Sequence, residues 1–351
     1  MSIFKSLSTT NKMKKTIFQL IFLMLLFACQ NKLKEPAIEK FSLSGKTSGL
    51  PDGSVIYFTD VLTNQIFDSV SIYQNAFRIE RVFPVSPTSV FLHNKDYSAT
   101  KSMWVENKPM IFDASATDFN HAKVSGSKIQ TEFAAFLEAT DTIESEEISK
   151  NLTIAFIKTH PDSRVSASML AGYAPSWGQA AVKELFEGLS EENKASVYGI
   201  QTAKFIQLNR DHAIGDKFTD FEMSNPKGQL LKLSQNLGRR ATLLEFWASW
   251  CGPCRKQNPD LVKTYQKYKA AGFEVFSVSL DFSKSNWEKA IAADHLQWNH
   301  VSDLKGRNST GAIIYGVNAI PDNFLLDKDG KIIAKYVWGE ALNEAIERAL
   351  K

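Results

Sequence analysis

Two cysteines three residues apart form the pattern with the clearest chemical meaning in this chain of 351 residues. The segment Trp250-Cys251-Gly252-Pro253-Cys254 follows a nearly continuous apolar run and opens a helical pattern. Unpaired amide N–H groups and the helix dipole favour a thiolate at such a helix start, so we predict that Cys251 is a nucleophile. Residues i and i+3 share a helix face, which lets the sulfur of Cys254 reach Cys251 and close a disulfide.

Thiol-disulfide exchange is the chemistry that this pair could perform. Attack by Cys251 on a disulfide gives a mixed disulfide, and Cys254 then attacks that bond, releases the reduced partner and leaves the pair oxidised. A structural zinc site is the competing interpretation, but such a site needs four ligands, and the chain has just one cysteine, Cys29, besides this pair. His295 and His300 lack a ligand spacing, and we expect the histidines to be surface or hydrogen-bonded polar groups. The sequence therefore predicts no metal and no cofactor beyond the redox-active disulfide.

The elements that must position this pair are predicted within residues 211–351. Two nearly continuous apolar runs, residues 241–248 and 273–280, are typical of buried strands, and a helical pattern follows each of them. A hairpin is predicted at residues 324–337 and a closing helix at residues 341–350. Alternating strands and helices followed by a hairpin and a helix indicate an α/β domain, in which helices flank a mixed central sheet.

The part of the chain before this domain divides into regions with different periodicity. A polar linker at residues 29–39 precedes residues 40–125, where apolar and polar residues alternate in short runs between turn signals. This pattern predicts an antiparallel β domain. Residues 126–210 have helical periodicity, punctuated at residues 173–178, and predict a helical region. We find no constellation of catalytic side chains in either region.

Residues 1–28 have the layout of a secretory signal peptide. Four lysines precede an apolar stretch at residues 17–28. This stretch is too short for a comfortable transmembrane helix. Without those lysines the net charge of +3 becomes about −1, and no basic cluster suggests a nucleic-acid partner. Residues 26–29 resemble the lipobox of bacterial lipoproteins, which implies export and a lipid anchor on Cys29. An uncleaved anchor helix is the alternative, and Met13 is an alternative start of the protein.

A family resemblance rests on residues 245–256, which read Glu-Phe-Trp-Ala-Ser-Trp-Cys-Gly-Pro-Cys-Arg-Lys. They closely resemble the thioredoxin active site, and in an exported protein they resemble the TlpA/ResA-type thiol-disulfide oxidoreductases. The resemblance covers about residues 214–351 and implies a thioredoxin-like fold there. The preceding β and helical regions resemble, more weakly, the N-terminal extension of lipoprotein members of this family.

The resemblance also implies a substrate groove around the cysteine pair. Ile320 and Pro321 resemble the dipeptide that contains the family's cis-proline, which packs beside the dithiol and offers backbone to the substrate chain. Trp250, Gly252 and Pro253 would support the active site and line the same groove. An ordinary trans proline at position 321 is the alternative.

Two acidic residues are of interest near this groove. Glu245 occupies the position where thioredoxins have a buried acid, so we expect a raised pKa and a role in relaying the proton of Cys254. The alternative is a glutamate at a strand edge that reaches solvent or pairs with a lysine. Asp322 follows Pro321 where the family usually has threonine, which implies an acid near the groove and an effect on substrate choice.

Together these features predict a membrane-anchored enzyme of the cell envelope that reduces protein disulfides. The implied partners are protein thiols and disulfides, a membrane thiol that donates electrons, and the membrane itself through the lipid on Cys29. The Gly252-Pro253 dipeptide resembles that of reducing thioredoxins more than that of strong oxidants. Disulfide isomerase or oxidase activity is the main alternative. A thiol peroxidase and a docking lipoprotein without catalysis are weaker alternatives.

Overall fold

The computed structural model describes residues 40–351. Two compact units are present, and the boundary between them follows Thr131. The predicted signal peptide, the predicted lipidation site Cys29 and the predicted linker lie outside the described residues. No helix within the described residues is long and apolar enough to cross a membrane.

The first unit contains two four-stranded sheets. Its strands are β1 (Phe41–Lys46), β2 (Val55–Asp60), β3 (Gln65–Ser71), β4 (Ala76–Arg81), β5 (Thr88–His93), β6 (Thr100–Val105), β7 (Pro109–Asp113) and β8 (Lys123–Ser125). The strand orders are β4-β1-β7-β8 and β3-β2-β5-β6. Alternate residues such as Phe41 and Leu43 of β1 share one core with Phe58 and Leu92 of the other sheet. The predicted antiparallel β region is confirmed, with β1 and β7 as a parallel pair inside it.

Six helices follow and correspond to the region predicted to be helical. They are α1 (Lys128–Thr140), α2 (Glu146–Thr159), α3 (Arg164–Trp177), α4 (Gln179–Glu187), α5 (Glu191–Lys194) and α6 (Val197–Leu208). The helix break predicted within residues 173–178 lies at the last of these residues. α3 continues through Pro175 and stops before Gly178. Proline loses one helical N–H bond and crowds the carbonyl four residues before it, but α3 accommodates this one residue. The helix ends where the chain adopts the positive φ of 80° at Gly178, which suits glycine.

The second unit carries the predicted thioredoxin-like domain, and its mixed five-stranded sheet is confirmed. The domain consists of β9 (Glu222–Ser224), β10 (Leu230–Lys232), β11 (Ala241–Trp247), α7 (Gly252–Tyr268), β12 (Phe273–Ser279), α8 (Lys284–Ala293), β13 (Asn299–Val301), α9 (Thr310–Tyr315), β14 (Asp322–Asp327), β15 (Ile332–Lys335) and α10 (Gly339–Leu350). The sheet order is β13-β12-β11-β14-β15. β11 is parallel to β12 and antiparallel to β14.

The central strand β11 is buried along its whole length. Both of its faces are covered by the rest of the domain, which is why an apolar run without alternation forms this strand. At its carboxyl end the chain leaves the sheet, crosses four residues and begins α7. This strand-to-helix connection is where the sequence places the cysteine pair.

Candidate active site

The cysteine pair lies at the start of α7, as predicted. Cys251 is the N-cap residue of this helix, and its sulfur accepts a hydrogen bond from the backbone N–H of Cys254 at 3.2 Å. A disulfide joins the two residues. The exposed fraction is 4% for Cys251 and 1% for Cys254, so Cys251 is the cysteine nearer to solvent. After reduction, the N–H donor and the helix dipole both stabilise a thiolate on Cys251.

Glu245 lies under the helix that carries the dithiol. It occupies the middle of β11, is 6% exposed, and lines a cavity with Asn258 and Leu261 of α7. Burial raises the pKa of Glu245 to about 7, against the opposing effect of a hydrogen bond from the hydroxyl of Ser277. The alternative of a solvent-facing glutamate at a strand edge is excluded, because β11 is the central strand.

The peptide bond between Ile320 and Pro321 is cis, as the resemblance implied. The strand register places this proline at the end of the sheet where the dithiol lies. Asp322, the next residue, pairs with Phe246 of β11, and β11 ends one residue later. Ile320 and Pro321 are partly exposed, and the exposed fraction of Trp250 is 52%. These side chains are therefore accessible to a polypeptide.

Asp322 lies next to Pro321, and the sequence did not predict its burial. Its side chain is buried, and its Oδ1 atom has no hydrogen-bond partner among the described residues. Burial raises the pKa of Asp322 to about 6. The cause is the register of β14, which turns this residue to the same side of the sheet as the buried Phe246.

A buried carboxylate that the sequence did not reveal holds the loop before the dithiol. Asp281 accepts the backbone N–H of Ser249 at 2.9 Å and the hydroxyl groups of Ser249 and Ser279. Arg255 binds the carbonyl of Ser249 at 3.2 Å and forms a two-pronged ion pair with Asp294. These contacts fix the path of the loop between β11 and α7.

Comparison with known proteins decides the family. The model of the AhpC/TSA family matches residues 214–335, and the model described as Domain of unknown function (DUF4369) matches residues 41–133. Thiol-disulfide oxidoreductase ResA of Bacillus anthracis is 32% identical over 138 residues, which cover 39% of this chain and 77% of that protein. The chain belongs to the ResA family of thiol-disulfide oxidoreductases. It is an enzyme of this class, a thiol-disulfide oxidoreductase.

Further similarities are of comparable extent. ResA of Geobacillus thermodenitrificans (strain NG80-2) is 32% identical over 149 residues, which cover 42% of this chain and 83% of that protein. A solved structure of a thiol-disulfide oxidoreductase from Bacteroides fragilis NCTC 9343 is 36% identical and has a TM-score of 0.36, covering 38% of this chain and 98% of that one.

His300 corrects one expectation for this ResA-family protein. We expected its histidines to be surface or hydrogen-bonded groups, but His300 is buried, and neither ring nitrogen has a hydrogen-bond partner among the described residues. The ring packs between Trp247 and Trp298, with centroid distances of 5.6 and 5.7 Å. Burial lowers the pKa of His300 to about 3, so the ring is neutral at physiological pH.

Metal binding has no geometric support in the described residues. Within residues 40–351, no group of three or more His, Cys, Asp or Glu side chains is arranged to hold a metal ion. The residues that sequence reasoning missed are Asp281, Ser277 and Trp298. Their partners come from neighbouring strands and loops. Asp281 could have been found as an acid directly after the predicted strand at residues 273–280, but Ser277 and Trp298 have no such signal.

Proposed function

We propose that this protein is a lipid-anchored enzyme of the bacterial cell envelope that reduces protein disulfides through Cys251 and Cys254. The observation that carries the proposal is the capping geometry, in which the sulfur of Cys251 accepts the N–H of Cys254. A docking domain has no need for a nucleophile placed at a helix N-terminus. The reduced dithiol supplies two electrons to the substrate and becomes the disulfide that the structure contains.

The reaction proceeds in two exchange steps. The thiolate of Cys251 attacks one sulfur of the substrate disulfide, forms a mixed disulfide and expels the other substrate sulfur as a thiolate. Cys254 then loses its proton and attacks the sulfur of Cys251, which breaks the mixed disulfide and releases the second substrate thiolate. Both thiolates take protons from the surroundings. The second step is intramolecular, and the shared helix face of the two cysteines makes it fast.

Glu245 is the proposed acceptor of the Cys254 proton. It lies beneath the helix that carries Cys254, and a cavity of about 300 Å³ adjoins it. With a pKa of about 7, the carboxyl group is divided between its two protonation states near neutral pH. Such a group can take a proton from a thiol and give it up again within one catalytic cycle.

Replacing Glu245 with glutamine is expected to slow the resolving step by ~10²-fold at pH 8. The wild-type rate should fall as the pH drops below about 7, because the accepting carboxylate is lost, whereas the variant should lack this inflection. Single-turnover reduction of a disulfide peptide between pH 5 and 9 measures both. Asp260→Asn is the matched control, since Asp260 lines the same cavity but is exposed. An unchanged pH profile in Glu245→Gln would remove the relay.

The same variant should change stability in a defined direction. A carboxyl group whose pKa is raised in the folded state loses stabilisation as the pH rises through that pKa. The oxidised Glu245→Gln protein should therefore be more stable than the wild type above pH 7, by up to ~3 kcal/mol, and nearly equal to it at pH 4. Urea unfolding at the two pH values provides the comparison.

The membrane anchor is proposed from the lipobox-like residues 26–29. In cell fractions, the wild-type protein should sediment with membranes and should carry a lipid on Cys29. Cys29→Ser should abolish lipid labelling and release the protein from membranes.

Trapping free thiols with a maleimide reagent during lysis should show a reduced dithiol, as expected if a membrane thiol donates electrons to it. An unlabelled wild-type protein would contradict the anchor, and a fully oxidised dithiol would favour oxidase activity.

The substrate groove is proposed from the accessible surface around the dithiol. Trp250, Gly252 and Pro253 are exposed beside Cys251, and Pro321 stands at the end of the neighbouring strand. A substrate chain that lies along this proline could bind backbone groups there while its disulfide faces Cys251.

A further inference from the structure

A chain of two buried hydrogen bonds ends on the carboxyl group of Glu245. The indole N–H of Trp298 donates to the hydroxyl oxygen of Ser277 at 2.7 Å, and this hydroxyl donates to Oε2 of Glu245 at 2.5 Å. Ser277 has no exposed surface, and Trp298 is 7% exposed. The two-step mechanism above assigns no role to either residue.

The direction of both bonds is fixed by the chemistry of the donors. An indole N–H can only donate, and a serine hydroxyl has one hydrogen. The oxygen of Ser277 accepts from Trp298, and Glu245 is the acceptor for the one hydrogen of Ser277. These are the only two hydrogen bonds of the Ser277 hydroxyl within residues 40–351. The Oε2 atom of Glu245 is therefore an acceptor in both protonation states.

A proton on Oε2 would be unfavourable in this arrangement. It would point at the hydrogen of Ser277, or it would force that hydroxyl to turn away and leave its hydrogen without an acceptor in the protein interior. The proton of neutral Glu245 consequently belongs on the other oxygen, Oε1. In that form Oε2 is the carbonyl oxygen, and it keeps its hydrogen bond from Ser277.

The surroundings of Glu245 leave Oε1 on the side of the cavity. Ser277 lies on the strand to one side of β11, and Asn323 lies on the strand to the other side. The amide group of Asn323 is occupied by the backbone of Val337, to which it donates at 2.8 Å and from which it accepts at 3.1 Å. The cavity of about 300 Å³ adjoins Glu245 below α7 and is large enough for several water molecules.

We propose that Ser277 and Trp298 are positioning residues, which confine the exchangeable proton of Glu245 to Oε1 on the cavity side. This inference rests on the proposed relay. In the resolving step the thiol of Cys254 gives its proton to Oε1, directly or through water, and the resulting thiolate attacks Cys251. Oε1 then releases the proton into the cavity. Oε2 takes no part in the transfer, because it is held by Ser277 throughout.

The other ionisable groups around Glu245 do not obscure this titration. From α7, Asp260 lies at the cavity and is exposed, and burial together with Glu274 raises the pKa of Tyr265 far above neutrality. From β13, His300 remains neutral above pH 5 because burial lowers its pKa to about 3. The residues that β12 and α10 contribute to the carboxyl group or the cavity do not ionise. From β14, Asn323 does not ionise, and Asp322, whose pKa burial raises to about 6, pairs with Phe246 on the other side of the sheet; its C=O band is told apart because it persists in Glu245→Gln. Cys254 does not titrate in the oxidised protein.

Infrared difference spectroscopy of the oxidised, full-length protein tests the inference. The C=O stretch of protonated Glu245 is followed during a pH titration and assigned with Glu245→Gln. In Ser277→Ala the band should move to higher wavenumber, because Oε2 loses its donor. The midpoint should rise by about one pH unit, a tenfold gain in proton affinity, because the bond that is lost is stronger to the ionised carboxylate than to the neutral acid. Ser277→Thr keeps the hydroxyl and should restore both values.

Two further variants make the test specific. Trp298→Phe removes the donor to the oxygen of Ser277 and so weakens this hydroxyl as a donor to Oε2, because the bonds of a chain polarise one another. The C=O band should therefore move in the same direction as in Ser277→Ala, but by less. Ser279→Ala is the matched control, since it removes a buried hydroxyl of the same strand that bonds Asp281 instead. An unshifted band in Ser277→Ala, or an unshifted band in Trp298→Phe, would overturn the inference. Failure of the proposed relay is distinguishable, because it would leave these spectra intact and appear only as an unchanged resolving rate in Glu245→Gln.

Discussion

Cys251→Ser is expected to lose disulfide reductase activity by ~10³-fold or more, because a serine hydroxyl is not ionised at neutral pH and is a poor nucleophile toward sulfur. The variant keeps an oxygen at the N-cap of α7, and serine is a favourable N-cap residue, so the helix should still form. Steady-state reduction of a protein disulfide with a thiol reductant in excess measures the loss.

The loss must be chemical and not a consequence of unfolding. Circular dichroism and urea unfolding should show a folded Cys251→Ser protein, and it should be compared with reduced wild type because both lack the disulfide. No mixed disulfide with the substrate should form. Residual activity within tenfold of the wild type would show that another group is the nucleophile and would contradict the assignment of Cys251.

Cys254→Ala should separate the two exchange steps. The variant retains the nucleophile, so one equivalent of mixed disulfide should form on Cys251 and then persist. Turnover should fall by ~10²-fold or more, because resolution then depends on external thiols and no longer benefits from the high effective concentration of a neighbouring sulfur. Mass spectrometry of the trapped adduct, before and after treatment with dithiothreitol, measures this directly.

The opposite result would change the roles of the two cysteines. If Cys254→Ala formed no adduct while Cys251→Ser formed one, Cys254 would be the attacking residue. Its lower exposure, 1% against 4% for Cys251, argues for the order proposed here. Rapid consumption of peroxide by either variant would instead support a thiol peroxidase.

The sequence sufficed to predict an α/β domain with a mixed sheet because its central strands are nearly continuous apolar runs, and the resemblance of residues 245–256 to the thioredoxin active site implied the thioredoxin-like fold. Residues 241–247 and 273–279 are buried on both faces, so they have a composition that few other structures explain. The position of the cysteine pair at a helix start was equally predictable, since it follows from the local sequence. Glu245 stood out because an acid inside such a strand needs a special environment.

Short elements could not be predicted in the same way. β13 has three residues and α9 has six, which is too few for either periodicity to be visible. Pairing with β12 and packing within the domain form these elements, and both depend on residues far away in the sequence. The parallel pairing of β1 and β7 in the first unit is non-local for the same reason.

The environment of Glu245 also depends on strand register. Ser277 faces Glu245 because these residues are direct partners across β11 and β12, and Trp298 reaches the same hydroxyl from the segment before β13. The burial of Asp322 and of His300 has a similar origin. A shift of one residue in either pairing would turn each of these side chains to the opposite face. The sequence therefore identifies Glu245 as an acid in a buried strand, and only the fold identifies the residues that position its proton.

The reduction potential of the Cys251/Cys254 couple distinguishes a disulfide reductase from an oxidant. Full-length protein in detergent is equilibrated in thiol buffers of known potential, and its free thiols are trapped and counted. We predict a value near that of thioredoxin, ~−270 mV, because the helix start and the Gly252-Pro253 dipeptide resemble those of a reducing enzyme. A value near ~−120 mV would mark a strong oxidant and would contradict the account of this protein as a disulfide reductase.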